Sequence, residues 1–362
     1  MKSKKFLLRA FLCIISLLLL LAGCDNGDVI EATTDTAASS ETVGDSETTG
    51  STGSGGRSNR TRFSNKWTQI KEKDVDEKEL SINLVEIDIE GDDEIIIYQA
   101  TDIHFNDAYS NESQDIRNGL TAWKGIEEEN TNANIIANVQ RHLNHATVKG
   151  ADQIVVTGDL ANFYSKANMD HIKNYIFDPY DNIMAVAGNH DATVAGYNQT
   201  TIDNNIASIK NQFGSYGYGE EYTSKVIDNR VKLIMLDNAI DYDKGIKGFT
   251  QEQADLLEAD LKSARDNGQI VLLFYHVPLK TDLRADPRQA YTSGISGDND
   301  PVYKLITNNA DIIKGGFCGH THANVYSEIK AKTASGEDAL VPQYETTAMY
   351  IGEGTMLKIV IK

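Results

Sequence analysis

Residues 94–104 read Glu94-Ile95-Ile96-Ile97-Tyr98-Gln99-Ala100-Thr101-Asp102-Ile103-His104. The first seven form an apolar, β-branched run of strand length, the pattern of a strand buried on both faces. A carboxylate and an imidazole follow it, two positions apart. In an extended segment such a pair points the same way and can grip one site. The arrangement recurs down the chain. Gln153-Ile154-Val155-Val156-Thr157 runs into Gly158-Asp159, and the run from Asn182 to Ala187 into Gly188-Asn189-His190-Asp191. Ile270 to Tyr275 ends at His276, and the run near Ile312 to Phe317 leads to Gly319-His320-Thr321-His322.

The segments between these runs read as helices. Thr131 to Lys149 has helical spacing at Ile135, Ile136, Val139, Leu143 and Ala146, with Gly150 as its stop. Ile202 to Phe213 has the same character. Thr250 and Gln253 make a capping box for a helix ending before Gly268, and a shorter helix is predicted near Val302 to Asn308. Lys225-Val226-Ile227 and Val231 to Leu236 flank Asp228-Asn229-Arg230 as a hairpin, and Ala323 to Lys362 is strand-rich. This is an α/β order, with parallel strands expected in the first two-thirds.

In open α/β sheets, ligands bind beyond the carboxyl ends of the strands. Five segments therefore converge, by expectation, on one cleft. Their carboxylate, imidazole and amide-oxygen donors suit two adjacent divalent ions such as Mn, Fe or Zn and suit calcium poorly. Of the eight histidines, His142, His145 and His171 stand outside these motifs. Glycines beside Asp159, Asn189 and His320 allow tight turns and close backbone approach. Each motif is weak alone. Their order, each after a strand, carries the reading.

Composition narrows the class. The 34 basic against 53 acidic residues leave a net charge of −19. An acidic surface repels a phosphate backbone, which argues against a nucleic-acid polymer as partner. A single phosphate ester held by metal ions remains compatible, because the ions dominate the local field. Three cysteines do not make a disulfide scaffold. No sequence feature identifies a protein partner.

The beginning of the chain has its own logic. Lys2, Lys4, Lys5 and Arg9 precede an apolar run from Phe11 to Leu21, too short for a comfortable membrane span. It ends in Leu21-Ala22-Gly23-Cys24, which resembles the lipobox of bacterial lipoproteins. The resemblance implies a signal peptide over 1–23 and a lipid on Cys24. It also implies export, with the protein anchored to the bacterial cell membrane and its domain on the outer side. Asp25 to Gly56 has no lysine, arginine or aromatic residue and cannot bury enough apolar surface to order itself. Residues 24–62 read as the lipidated end and an acidic Ser/Thr/Gly tether, and 63–362 as the folded domain. Cys13 falls in the removed segment and Cys24 carries lipid, so Cys318 remains as a small buried residue beside the site.

From Ile95 to Lys362, and most specifically between Asp102 and His322, the chain resembles the calcineurin-like metallophosphoesterases. The resemblance implies a four-layer α/β/β/α sandwich with two metal ions and a phosphate-ester substrate. By that resemblance Asp102, His104 and His322 hold the first ion, Asn189, His276 and His320 the second, and Asp159 bridges them. His190 becomes the acid or transition-state stabiliser, with Asp191 orienting its ring. A hydroxide shared by the metals is the implied nucleophile. Asp102-Ile103-His104, and Asn162 where purple acid phosphatases place a tyrosine, set the chain apart from that group. The Gly-Asn-His-Asp form lacks the Glu-Phe-Asp continuation of 5′-nucleotidases. In motif style the chain is similar to bacterial phosphodiesterases of the cyclic-nucleotide group.

Three segments are candidates for the substrate pocket or for ordinary surface loops: Phe105 to Asn130 with Tyr109, Arg117 and Trp123; Gly214 to Gly219; and Leu279 to Asp300 with Lys280, Arg284 and Arg288. The rival reading to an enzyme is a surface lipoprotein that keeps the metals and binds without turnover.

Overall fold

The computed structural model describes residues 67–362 apart from 75, 90–92, 123–130, 195–198, 240–247 and 282–299. The signal segment, Cys24, the tether and the domain start at Phe63 lie outside the described residues, as do Trp123, Arg284 and Arg288. No described helix is long and apolar enough to cross a membrane.

Ile95 and Ile97 face one way from their strand and Tyr98 and Ala100 the other, yet all are buried. Both faces are covered, which explains the unbroken apolar run. Among the described residues twelve strands form two six-stranded mixed sheets. The first runs β1 (Thr68–Lys73), β2 (Glu79–Ile87), β12 (Met356–Ile361), β3 (Ile95–Ala100), β4 (Gln153–Thr157), β5 (Ile183–Val186). The second runs β10 (Val325–Lys332), β11 (Asp338–Glu345), β9 (Ile313–Cys318), β8 (Ile270–Phe274), β7 (Val231–Leu236), β6 (Tyr222–Ile227). Strands β3, β4 and β5 are parallel to one another, as are β7, β8 and β9. β6 and β7 pair antiparallel as the expected hairpin, while β1–β2 and β12–β3 pair antiparallel as well, outside the parallel expectation.

Between the sheets lies one apolar layer. Ile95, Ile97, Val155, Val186 and Ile359 of the first sheet meet Leu233, Leu272, Phe274 and Phe317 of the second. Full burial of each such side chain stabilises by about 1.5–3 kcal/mol. The outer faces are covered by helices: α2 (Asn132–Val148), α3 (Lys166–Ile172) and α4 (Gln199–Phe213) with Tyr98, Ile154 and Ala185; α5 (Gln251–Asp266) and α6 (Pro301–Thr307) with Leu273 and Tyr275. The order helix, sheet, sheet, helix gives the expected four layers.

Local signals set the element ends. Thr131 caps α2 by accepting from Asn134 N, and Gly150 follows in the left-handed region at φ 75°. Thr250 and Gln253 form the capping box of α5, and Asp300 caps α6. Asp228 and Asn229, at φ 50° and 54°, make the tight turn of the β6–β7 hairpin.

Three features lie outside the sequence reading. Strands β1 and β2 precede the first expected strand; β1 is a mostly exposed strand, Thr-Gln-Ile-Lys-Glu-Lys, whose charges suit a sheet edge. Helix α1 (Gln114–Ala122) lies inside the Phe105 to Asn130 segment read as a pocket segment or surface loop. Helix α3 runs on into a π-turn over Lys173–Phe177.

Candidate metal centre

All five motif segments leave the carboxyl ends of β3, β4, β5, β8 and β9. Backbone bonds lock these exits together. Asp102 N donates to Gly158 O at 3.0 Å, His104 N to Asp159 O at 2.9 Å, and Gly319 N to His276 O at 3.0 Å. Side chains then tie one sheet to the other. His276 Nδ1 donates to Thr157 O at 2.8 Å, and Gln99 Nε2 to Thr157 Oγ1 at 2.6 Å and Cys318 O at 3.2 Å. Cys318 is buried and unoxidised beside the site.

The outer residues of Asp-x-His and His-x-His do not sit in extended backbone as the spacing argument assumed. Asp102, His104, His320 and His322 all have φ between 52° and 71°, and Asp159 has φ 51°. Left-handed backbone is uncommon for such residues, and it concentrates at functional sites where the surroundings over-determine it. Five of the eight described non-glycine residues with positive φ are site residues. Close packing demands glycine nearby. A Cβ at Gly188 would lie 2.2 Å from both Asp159 N and Asp159 Oδ1, and one at Gly319 would lie 1.9 Å from Thr101 Oγ1.

The side chains form two adjoining donor sets. In the first, Asp102 Oδ1 stands 3.2 Å from His322 Nε2 and 3.7 Å from His104 Nε2. Its other oxygen accepts from Thr101 Oγ1 at 2.7 Å and His320 N at 2.9 Å, while Oδ1 has no hydrogen bond. In the second, Asp159, His276 and His320 cluster. Asn189 Oδ1 lies 3.1 Å from His276 Nε2. Asp159 Oδ2 reaches both sets, 3.1 Å from His276 Nε2 and 3.6 Å from His104 Nε2. Its Oδ1 accepts from His190 N at 2.9 Å.

The two buried carboxylates draw positive charge into the site, as a proton on His276 or as a metal cation. Burial alone would depress the His276 imidazole, but Asp159 lifts it to about 10. Burial pushes the neighbouring His320 down to about 3, helped by the His276 charge. Burial would raise Asp102, yet His104 and His322 hold it well below the carboxylate range. Two buried carboxylates ringed by imidazole nitrogens, with a hydrogen-bond-free Asp102 Oδ1, match what borderline divalent ions require. The backbone carbonyl on His276 Nδ1 keeps the proton there, so an ion that displaces the Nε2 proton finds that nitrogen as its donor.

His190 and Asp191 arrange themselves differently from the implied roles. The ring of His190 lies edge-on to His104, with centroids 4.9 Å apart. Its Nδ1 is held by the carbonyl of Asn162 at 3.0 Å. That carbonyl, rather than Asp191, is the partner of Nδ1. The Asp191 carboxylate accepts from Ala161 N at 2.8 Å and Gly188 N at 2.7 Å, which pins the β4 and β5 exits to each other. Burial, then the Asp159 charge, raises it to about 7. His190 also comes within reach of a donor set with His104 and Asp159.

Three tyrosines take places that the sequence reading did not give them. Tyr218, in the Gly214 to Gly219 segment, is fully buried behind Asp191, and Tyr216 stacks on Phe177 at 4.4 Å. These two tyrosines belong to the packing behind the site rather than to a substrate loop. Tyr350 touches His322 Nδ1 at 2.9 Å. Of the other candidate residues, Tyr109 is exposed and bonds Asp170, and Arg117 bonds Gln114 on its own helix.

A two-sheet α/β sandwich with carboxylate and imidazole donors at its strand ends defines a metal-dependent hydrolase class. The family model of calcineurin-like phosphoesterases matches residues 95–324. The chain belongs to that family and is a metal-dependent phosphoric ester hydrolase. No curated protein matches the sequence. Solved structures with similarity include a dimetal phosphatase from Danio rerio, at 12% identity and TM-score 0.47, covering 71% of this chain and 88% of that one. A phosphopantetheinyl hydrolase from Mycobacterium tuberculosis shows 12% identity and TM-score 0.39, covering 71% and 90%. A purple acid phosphatase from yellow lupin seeds shows 12% identity and TM-score 0.42; 78% of this chain spans 46% of that one.

Proposed function

We propose that the protein is an exported, lipid-anchored phosphoesterase that uses two divalent ions to hydrolyse phosphate mono- or diesters. The observation that carries this reading is Asp159 Oδ2, set between His104 of one donor set and His276 of the other. Asp102, His104 and His322 would hold one ion, Asn189, His276 and His320 the second, with Asp159 shared. Bound ions of this kind supply activation of water at neutral pH and neutralisation of phosphoryl charge.

The chain's own residues do the rest. The Asn162 carbonyl commits His190 Nδ1, so Nε2 is the nitrogen that can hold and deliver a proton at the leaving oxygen. Asp159 Oδ1, by accepting from His190 N, fixes that residue's distance from the donor sets. Asp191 holds the two strand exits in register through backbone amides. The anchor on Cys24 and the tether over 24–62 would keep the domain at the outer side of a bacterial membrane; the motif at residues 21–24 supports this.

The test is hydrolysis of bis(4-nitrophenyl) phosphate and 4-nitrophenyl phosphate by the purified protein, with metal content measured on the same sample. Turnover that a chelator abolishes and Mn, Fe or Zn restores is expected. Two bound ions without turnover on any ester would establish the binding lipoprotein instead.

A further inference from the structure

The connection between β11 and β12 lies across the metal-bearing strand exits. Thr346 N donates to Cys318 O at 3.0 Å, Thr347 Oγ1 to His322 O at 2.8 Å, and Met349 N to Thr101 O at 3.0 Å. It thus bonds the exit of β3 in one sheet and that of β9 in the other. Helix α2 secures its far side, where Asn138 Nδ2 donates to Met349 O at 3.3 Å and Gly352 O at 3.0 Å. The connection holds Tyr350 against the first donor set. Its ring stands edge-on to both His104 and His322, with centroids 5.2 Å from each. Its hydroxyl lies 2.9 Å from His322 Nδ1.

That contact falls on the ligand most in need of it. The side chains of Asp102 and His104 are fully buried and immobilised by their surroundings, whereas that of His322 is 28% exposed. A partly exposed imidazole can turn about its own bond and can place its proton on either nitrogen. Binding through Nε2 requires the proton on Nδ1, where it needs an acceptor. Tyr350 Oη, 2.9 Å away, is placed to accept it. Tyr350 lies outside the family-matched residues 95–324.

We infer that Tyr350 is a positioning residue for the metal centre: its hydroxyl fixes the tautomer and ring angle of His322, and its ring walls the His104 side. The inference rests on the metal-centre reading above. The structure therefore ties affinity for one of the two ions to a residue outside the family motifs.

The experiment titrates chelator-treated full-length wild type, Tyr350→Phe, His322→Ala and the double variant with Co(II) and Mn(II), in competition with a chromophoric chelator. Wild type is expected to take up two ions. Tyr350→Phe, which keeps the ring, should bind one ion as wild type and the other about 10–100-fold more weakly. The double variant should bind no more weakly than His322→Ala, because both changes act on one contact. A zinc-loaded, nitrogen-15-labelled wild type should show a slowly exchanging His322 Nδ1–H, absent from Tyr350→Phe; this reads the bond even where a variant folds poorly. Equal affinities in wild type and Tyr350→Phe, multiplying losses in the double variant, or no protected Nδ1–H would each overturn the inference and leave the metal centre standing. A wild type that takes up no divalent ion overturns the metal-centre reading itself.

Discussion

The Nε2 atoms of His104 and His322 stand 3.1 Å apart, both turned toward Asp102 Oδ1. With His322 Nδ1 against Tyr350, two nitrogen lone pairs and a carboxylate oxygen face one small volume. A cation relieves that arrangement and binds the folded chain alone. Divalent metal at about 100 times its Kd should therefore stabilise the fold by roughly 2.7 kcal/mol. Calorimetric melting with chelator and with added Mn(II) or Zn(II) measures it; an unchanged Tm would remove the case for a site.

Asp159 and His190 separate in a paired experiment. Asp159→Asn removes the charge that both donor sets share, so metal content should fall sharply. His190→Ala should keep both ions and lose about 10²–10⁴-fold in turnover on a poor leaving group. The loss should shrink with nitrophenolate, which departs without a proton. His190 lies within reach of His104 and Asp159, so metal analysis must accompany the kinetics. Metal lost from His190→Ala as from Asp159→Asn would make His190 a ligand.

Gly188 is predicted to tolerate no side chain. The 2.2 Å approach of an added Cβ to Asp159 N and Oδ1 forces the β4 and β5 exits apart. Gly188→Ala should cost about 1–3 kcal/mol by overpacking and should also weaken metal binding. Chemical denaturation together with metal titration checks both effects.

Acid should erode the contact between α2 and the β1–β2 hairpin. Burial alone would raise Asp74, but Arg141 and the amides of Lys78 and Asp76 hold it below its usual 3.8. A depressed folded-state value gives stability that is present above the unfolded value and lost as pH falls through the folded one. Asp74→Asn should thus be less stable than wild type by about 1.5–3 kcal/mol at pH 7. The gap should close as pH drops below 3.8. Urea unfolding of both proteins at neutral and acid pH would show it; a gap that is constant with pH would refute the ion-pair account.

Cys24→Ala should release the protein from membranes or leave an unprocessed precursor, while the purified domain keeps its metal content and activity. Lipid labelling that persists in the variant would end the anchoring proposal.

The ligand types were legible because aspartate, asparagine and histidine right after buried apolar runs leave a local signature, and the exits of β3, β4, β5, β8 and β9 carry it. Their backbone was not. Left-handed φ at Asp102 and His322 arises from bonds such as Asp102 N to Gly158 O, between segments far apart in sequence. The placing of Asp191 was illegible for the same reason. The family resemblance implied that Asp191 orients the His190 ring, whereas its carboxylate accepts from Ala161 N and Gly188 N. Tyr350 had no chance of being singled out, since a tyrosine 28 positions after His322 in a strand-rich region has no spacing that marks it. Strand β1 was hidden by its charges, and the tight turns around Tyr218 concealed a core residue.

Strand β12 sits inside the first sheet, between β2 and β3, and Lys358 on it bonds Glu72 from 286 positions away. On a ribosome, β2 and β3 are complete long before β12 is made to fill that slot. Until then β2 and β3 each present an unpaired edge, the kind of surface on which chains stick to one another. Folding governed by so distant a pairing is slow. A nascent chain of this protein therefore depends on being kept apart from its copies until residues 356–361 arrive.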